Sequence, residues 1–200
     1  HSRAVPFLVE MLKEDSKDLR AAAVEAIQSI GSHEAFKPLL RCLKDEDWAV
    51  RMKAAQALGD LGDPAAAKAL IPALDDEEWA VQYHSAIALG ALKCVEAVPR
   101  LIRLLASPQS FVRKVVIGAL ESIGAPESYE AIAKHRNDDD MRVREAAQAA
   151  LESLEPAYQA WKEAQKETKP AKTPKGKKST TPPGEPGPTP EKEPTPAKSV

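Results

Sequence analysis

The side chains able to do catalytic or metal chemistry are few and scattered along the 200-residue sequence. The internal histidines His33, His84 and His135 are spaced 51 residues apart, and only His33 is followed by a glutamate. Cys42 and Cys94 are separated by 52 residues and form neither a zinc motif nor a disulfide framework. The sequence also lacks a glycine-rich phosphate loop and a nucleophile elbow. We therefore predict a protein that is not an enzyme, with no catalytic residue, metal or cofactor.

Aromatic residues at matching positions indicate a different chemistry, the binding of another protein. Trp-Ala-Val at residues 48–50 recurs at residues 79–81, a distance of 31 residues. On a helix, residues at i, i+4 and i+8 share one face with each Trp, and clustered aromatic side chains are typical of binding hot spots. The alternative is that both Trp rings extend the core over the seam between repeats. The predicted partner-binding residues are Trp48, Met52, Gln56, Trp79, Tyr83, His84, Ile87 and Lys114.

The distance of 31 residues recurs throughout the first 155 residues. Five columns of apolar residues repeat in every row without an insertion, and the third column is alanine in all five rows. A fixed period of this length is the signature of a repeat protein. The columns begin at Leu8, Leu19, Ala26, Ile27 and Ile30.

Each row has the pattern of two amphipathic helices. In the second row the first helix carries apolar residues at i, i+3, i+4 and i+7, beginning at Phe36. Three second helices follow a strong N-cap residue: Ser16, Asp47 and Asp140. A glycine suited to a left-handed C-terminal position ends three of them, and Lys93 replaces it in the third row. One hairpin cannot bury its own apolar stripe, so neighbouring hairpins must stack.

The predicted fold is therefore all-α, an α-solenoid or right-handed superhelix of five stacked helical hairpins. The repeats span residues 1–31, 32–62, 63–93, 94–124 and 125–155. A closing helix over residues 156–168 begins at Pro156, and its Tyr158 and Trp161 cover the end of the core. The apolar first helix leads us to expect further repeats before it in a longer parent chain.

Residues 169–200 have the composition of a disordered tail. They contain nine prolines, seven lysines and three glutamates, and no Leu, Ile, Phe, Tyr or Trp. The tail carries a charge of +4, which leaves about −6 on the rest of a chain whose net charge is −2. We predict a spacer. The alternatives are a basic tail that folds back onto the acidic turns, and a Pro-x-x-Pro ligand at residues 183–186.

Four stretches resemble the short HEAT-like repeats of phycobilin lyases and deoxyhypusine hydroxylase, over about residues 3–155. They are DEDWAVRMKAAQALGDLGD, EEWAVQYHSAIALGAL, PQSFVRKVVIGALESIG and DDDMRVREAAQAALESL. The hydroxylase resemblance implies two irons held by His-Glu pairs, at the second and third positions after the Val column. Those positions here include Tyr83-His84 and Glu145-Ala146, and none is His-Glu. No bilin-attachment signature is found either.

Charged residues recur beside the second helices. Acidic residues occupy most turns that precede them, where helix dipoles favour negative charge; the alternative is attraction for a basic partner. We expect an arginine column to pair with acids such as Asp47 and Asp140 in a ladder between repeats, with an anion-binding row as the alternative. The column is Arg20, Arg51, Arg113 and Arg144.

We predict a scaffold or adaptor that binds a peptide or helix of another protein on its concave face. One alternative is a metal-dependent hydroxylase or bilin-lyase-like enzyme; another is a structural spacer within a larger solenoid. The acidic repeats argue against nucleic acid as a partner, and the absence of eighteen consecutive apolar residues argues against a membrane span. The two cysteines leave the compartment open, with a cytoplasmic location slightly favoured.

Overall fold

Ten α-helices and no strand make up residues 2–167, the part of the chain described by the computed structural model. None of these helices combines the length and apolar character needed to cross a bilayer. The helices are α1 (Val5–Met11), α2 (Lys17–Ile30), α3 (Phe36–Cys42), α4 (Trp48–Leu61), α5 (Ala67–Ala73), α6 (Trp79–Ala91), α7 (Val98–Leu104), α8 (Ser110–Ile123), α9 (Tyr129–Ala133) and α10 (Met141–Glu167).

The helices form five hairpins, as the period predicts. Odd-numbered helices are short, at five to seven residues, and four of the five even-numbered helices have 13 or 14 residues. A 3-10 turn precedes each short helix. The repeat columns form one continuous core, in which Val50, Val81, Val112 and Val143 are fully buried. In the first repeat, which has no described repeat before it, the corresponding Leu19 is exposed.

The second helices pack against one another more extensively than the first helices do. Each of α2, α4, α6 and α8 contacts the next second helix, whereas the short helices mainly contact the long helix of their own hairpin. The second helices thus form one continuous row of neighbouring helices, which we call the inner face. This is where the sequence places the candidate binding residues.

Two glycines permit the closest of these helix contacts. A Cβ atom on Gly59 would lie 2.8 Å from the Cβ of Ala88, and one on Gly90 would lie 2.8 Å from the Cα of Ala119. The alanine column, which the sequence suggests is small for close packing, is thus met by glycine from the preceding repeat. The glycine half of this contact was missed, because Gly59 and Gly90 belong to a column that is not glycine in every row.

The predicted helix ends are largely present. Asp47 and Asp140 accept hydrogen bonds from the backbone N–H groups of Ala49 and Arg142, both at 2.9 Å. The prediction for Ser16 is wrong in detail, because its side chain makes no capping hydrogen bond. Left-handed residues follow four second helices: Gly31, Gly62, Lys93 and Gly124.

The closing helix is not a separate element. Helix α10 begins at Met141 and continues through Pro156 to Glu167. Its Tyr158 is buried and stacks on Tyr129 of the last short helix, with ring centroids 4.1 Å apart. This contact supports the helix beyond the proline, whose missing N–H removes one hydrogen bond. The predicted tail, residues 169–200, lies outside the described residues.

Candidate functional site

The inner face carries large apolar side chains that are not buried in the core. Trp48 and Trp79 are the first residues of α4 and α6, and each remains about 45% exposed, at 44% and 45%. Ile87, two turns further along α6, is also exposed, whereas Met52 and Tyr83 are partly buried. Three residues of the predicted set, Trp48, Trp79 and Ile87, thus expose apolar surface on the second helices of the two central repeats, and we call this surface the ridge.

An aromatic cluster joins the third and fourth repeats on this ridge. The ring of Phe111 meets Trp79 edge-on, with centroids 4.7 Å apart, and lies 6.2 Å from Tyr83. Tyr83 in turn meets the His84 ring at 5.2 Å. We call Trp79, Tyr83 and Phe111 the aromatic cluster. Among the described residues no ring contact joins Trp48 to Trp79, so Trp48 stands apart from the cluster.

The other predicted residues divide into two groups. Gln56, His84 and Ile87 line one small cavity of about 60 Å³ between α4 and α6, beside Asp60. Burial lowers the pKa of His84, and the nearby carboxylate of Asp60 opposes that effect, so the neutral imidazole is favoured at neutral pH. Lys114 is exposed on α8 and lies outside this cavity.

Two exposed residues of the same face were missed from the predicted set. Phe111 follows the column position of Ser110 by one residue, and the corresponding positions hold Asp18, Ala49 and Ala80. A large aromatic ring in a column of small or polar residues was the available signal. The second is Met141, the first residue of α10, which is 59% exposed.

The arginine column forms a ladder of clamps between neighbouring repeats. The guanidinium of Arg51 donates from Nε and Nη2 to both oxygens of Asp76, at 2.7 and 2.9 Å, and Arg20 and Arg113 bind Asp45 and Asp138 in the same way. The remaining Nη1 of each arginine donates to backbone carbonyls of its own turn. The donors of these three arginines are occupied internally, so their clamps are structural. Arg144, the fourth member of the column, donates from Nη1 to the backbone carbonyls of Asp138 and Asp139, and no described acid clamps it.

The acids that complete the ladder differ from the predicted ones. Asp47 contacts Lys17 at 3.3 Å and Asp140 contacts Arg142 at 2.8 Å, and neither joins an arginine of the column. The clamp acids stand two positions earlier in each turn. The hydrogen bonds that Arg20, Arg51 and Arg113 donate to these carboxylates raise the pKa values of the three arginines, and those from Arg113 hold the pKa of Asp138 well below its ordinary range.

The remaining reactive side chains do not assemble. The described part of the chain contains no group of three His, Cys, Asp or Glu side chains that could hold a metal ion. Cys42 and Cys94 are buried free thiols; burial raises the pKa of Cys42 to about 11 and also raises that of Cys94. Both thiols therefore stay protonated at neutral pH, and a protonated thiol is a poor nucleophile.

Comparison with known proteins agrees with this architecture. The HEAT repeats family profile matches residues 5–78 and 67–152. A chain in the complex of CpcE and CpcF of phycocyanin lyase from Nostoc sp. PCC7120 is 27% identical, with a TM-score of 0.69, over 78% of this chain and 68% of that chain. Comparison with curated proteins gives no match.

Two further solved structures are similar in fold alone. A designed armadillo repeat protein in complex with peptide (KR)4 is 23% identical, with a TM-score of 0.65, over 76% of this chain and 82% of that chain. Human deoxyhypusine hydroxylase in complex with glycerol is 24% identical, with a TM-score of 0.52, over 78% of this chain and 75% of that chain. With five stacked hairpins and a family profile that matches most of its length, the chain belongs to the HEAT repeat family.

Proposed function

We propose that the inner face binds a segment of another protein, as an adaptor or scaffold does. The observation that carries this proposal is the exposed ridge formed by Trp48, the aromatic cluster and Ile87 on adjacent second helices. Aromatic side chains bury a large area and lose little conformational freedom when they bind a partner, so they dominate interface energetics. Exposed apolar side chains gathered on one face in this way are typical of an interaction site.

The shape of the ridge favours an elongated ligand. The second helices run side by side, and their exposed residues repeat once per helix, so contact points line up across the repeats. Such a row suits an extended peptide or a helix rather than a compact small molecule. The solved neighbours support this use of the fold: one is a complex of two protein subunits, and another holds a peptide.

Binding is a better account of this chain than catalysis. The similarity to phycocyanin lyase and deoxyhypusine hydroxylase keeps an enzyme as the alternative. The inner-face positions that would hold His-Glu pairs by family resemblance hold Tyr83-His84 and other pairs instead. Iron measured in protein purified from its native source separates a hydroxylase from an adaptor, because a hydroxylase retains stoichiometric iron and an adaptor does not.

A peptide selection tests the binding proposal. Phage displaying random 12-residue peptides are selected on the full chain, and bound clones are re-tested on Trp79→Ala and Phe111→Ala. We expect the clones to lose binding to both variants and to retain it on Trp161→Ala, a matched control at the far end of α10. Thermal unfolding by circular dichroism shows that each variant is folded. Clones that bind every variant equally, or a selection without enrichment, would favour a spacer.

A further inference from the structure

At two junctions the first residue of a second helix lies near the N-cap position of the next second helix. In the first repeat this residue is Lys17, whose ammonium lies 3.3 Å from a carboxylate oxygen of Asp47, the N-cap of α4. Ser110, the first residue of α8, is near enough to Asp140 to lower the pKa of that carboxyl, after the larger effect of hydrogen bonds from Arg142. The repeat geometry therefore brings these two positions together at separate junctions.

At the junction between the second and third repeats the same two positions hold Trp48 and Glu78. The carboxylate of Glu78 makes no capping hydrogen bond, and no described side chain forms an ion pair with it. The first repeat supplies a cation at this point, and the second supplies an exposed aromatic ring. An aromatic face beside a carboxylate attracts a positive charge.

The cations of the protein near this turn are held by other acids, so Glu78 is the acid that is available to a cation of the ligand. Arg51 is near enough for Glu78 to raise its pKa, after the larger effect of Asp76, but its guanidinium is already held by both oxygens of Asp76. Glu77 lies 3.7 Å from the same arginine, and Asp75 pairs with Arg100 at 2.7 Å. Four acids thus meet in one turn, residues 75–78, and three of them have cations of the protein beside them.

The next junction has no such charge. There the corresponding positions are Trp79 and the neutral Gln109, and Phe111 packs edge-on against the Trp79 ring. The turn over residues 107–109 contains no acid. The ridge is therefore divided into a polar subsite at Trp48 and Glu78 and an apolar subsite at the aromatic cluster.

We propose that the partner segment places a lysine or arginine side chain against Trp48 and Glu78, and an apolar side chain against the aromatic cluster. This inference rests on the proposed binding function and specifies its ligand. Adjacent packed helices lie about 8–10 Å apart, and an extended peptide advances about 3.3 Å per residue. The basic and the apolar residue of the ligand are therefore about three positions apart.

The test uses synthetic, fluorescein-labelled copies of the selected peptides, measured by fluorescence anisotropy. We expect these peptides to contain Lys or Arg about three positions from a large apolar residue. Glu78→Gln, which copies the residue at the next junction, should weaken binding about tenfold, and the loss should shrink at high salt. Glu127→Gln, the same change in a turn between repeats four and five, is the matched control and should leave the affinity unchanged.

A second variant imitates the first repeat. Trp48→Lys places a resident ammonium beside Glu78, as Lys17 stands beside Asp47, and should remove the preference for basic peptides. If the selected peptides lack Lys and Arg, or if Glu78→Gln has no effect while Trp79→Ala abolishes binding, the cation subsite is wrong and the proposed function stands. If no peptide depends on Trp79 and Phe111, both proposals fail.

Discussion

The junction between repeats two and three and the junction between repeats three and four share their helix packing but differ in their charges. Both have a glycine against an alanine of the next repeat, at 2.8 Å from an added Cβ atom. The first has the clamp of Arg51 and Asp76. In the second, Gln82 replaces the arginine and the buried Ser107 replaces the acid.

The two replacements occur together, which shows how the ladder is organised. Gln82 still donates to the backbone carbonyl of Asp76 at 2.6 Å, as the arginines do to their own turns. What is lost is only the contact to the next repeat. A lone arginine or a lone buried aspartate would leave an uncompensated charge, which costs more than losing the pair. The glycine–alanine contact is thus common to both junctions, and the clamp is present at only one of them.

The largest effect on stability is expected when only one partner of the clamp between repeats two and three is replaced by its counterpart at the next junction. Arg51→Gln leaves Asp76 partly buried without its cation and should lower the free energy of unfolding by about 3 kcal/mol. The double variant Arg51→Gln/Asp76→Ser copies the next junction and should recover at least half of that loss. Urea denaturation of both single variants and the double variant measures the coupling. Strictly additive effects would show that the clamp is not a unit.

A smaller decrease in the free energy of unfolding is expected when the glycine–alanine contact, which both junctions share, is disturbed. Gly90→Ala places a Cβ atom 2.8 Å from the Cα of Ala119, and backbone cannot move aside cheaply, so we expect about 2 kcal/mol of destabilisation. Gly118→Ala is the control, because an added Cβ there meets nothing within 4 Å. That change should stabilise α8 by about 0.5–1 kcal/mol. If Gly90→Ala left the free energy of unfolding in urea unchanged, the close glycine–alanine contact would not be what determines the distance between these helices.

The clamp between repeats four and five should add a dependence on pH that the uncharged junction cannot have. Hydrogen bonds from Arg113 lower the folded-state pKa of Asp138, so its stabilisation is complete above the unfolded value of about 3.9 and is lost as the pH falls towards the folded value. Stability measured between pH 5 and pH 2 should therefore fall less steeply in Asp138→Asn than in the unmodified protein. Ser107→Ala, which removes no titrating group, should keep the original slope.

The smallest effect is expected at the end of α6, where the third repeat departs from its neighbours. Lys93 has a φ of 51°, in the left-handed region where three of the other repeats place glycine. Lys93→Gly should stabilise the protein by about 1 kcal/mol, because a side chain there is strained against the backbone. The reverse change, Gly62→Lys, should cost a similar amount. Thermal unfolding checks both, and equal melting temperatures for Lys93→Gly and the unmodified protein would contradict the strain.

Much of the fold could be predicted because its rules are local. The period of 31 residues, the i, i+3, i+4 spacing and the glycine column identify the hairpins and their ends. The helix boundary at Pro156 was not predictable in this way. Proline usually marks a helix start, yet here the stacking of Tyr158 on Tyr129 accompanies a helix that runs through it.

The candidate site was only partly predictable from the sequence. The exposed tryptophans follow from helix register, but the contact of Phe111 with Trp79 joins residues 32 positions apart on different helices. The clamp partners were misassigned for the same reason. Asp45 and Asp47 are both acids of one turn, and only the packed backbone decides which of them faces Arg20 and which faces Lys17.

The sequence by itself determined that this protein is a stack of helical hairpins, because periodic burial and helix-end chemistry act over a few residues. The tertiary structure alone decided which charged side chains pair in the ladder and which do not. That choice depends on the distance and angle between neighbouring repeats. The close approach of Gly59 to Ala88 is part of that geometry, and at this junction Glu78 occupies the N-cap position of α6 without making a capping hydrogen bond.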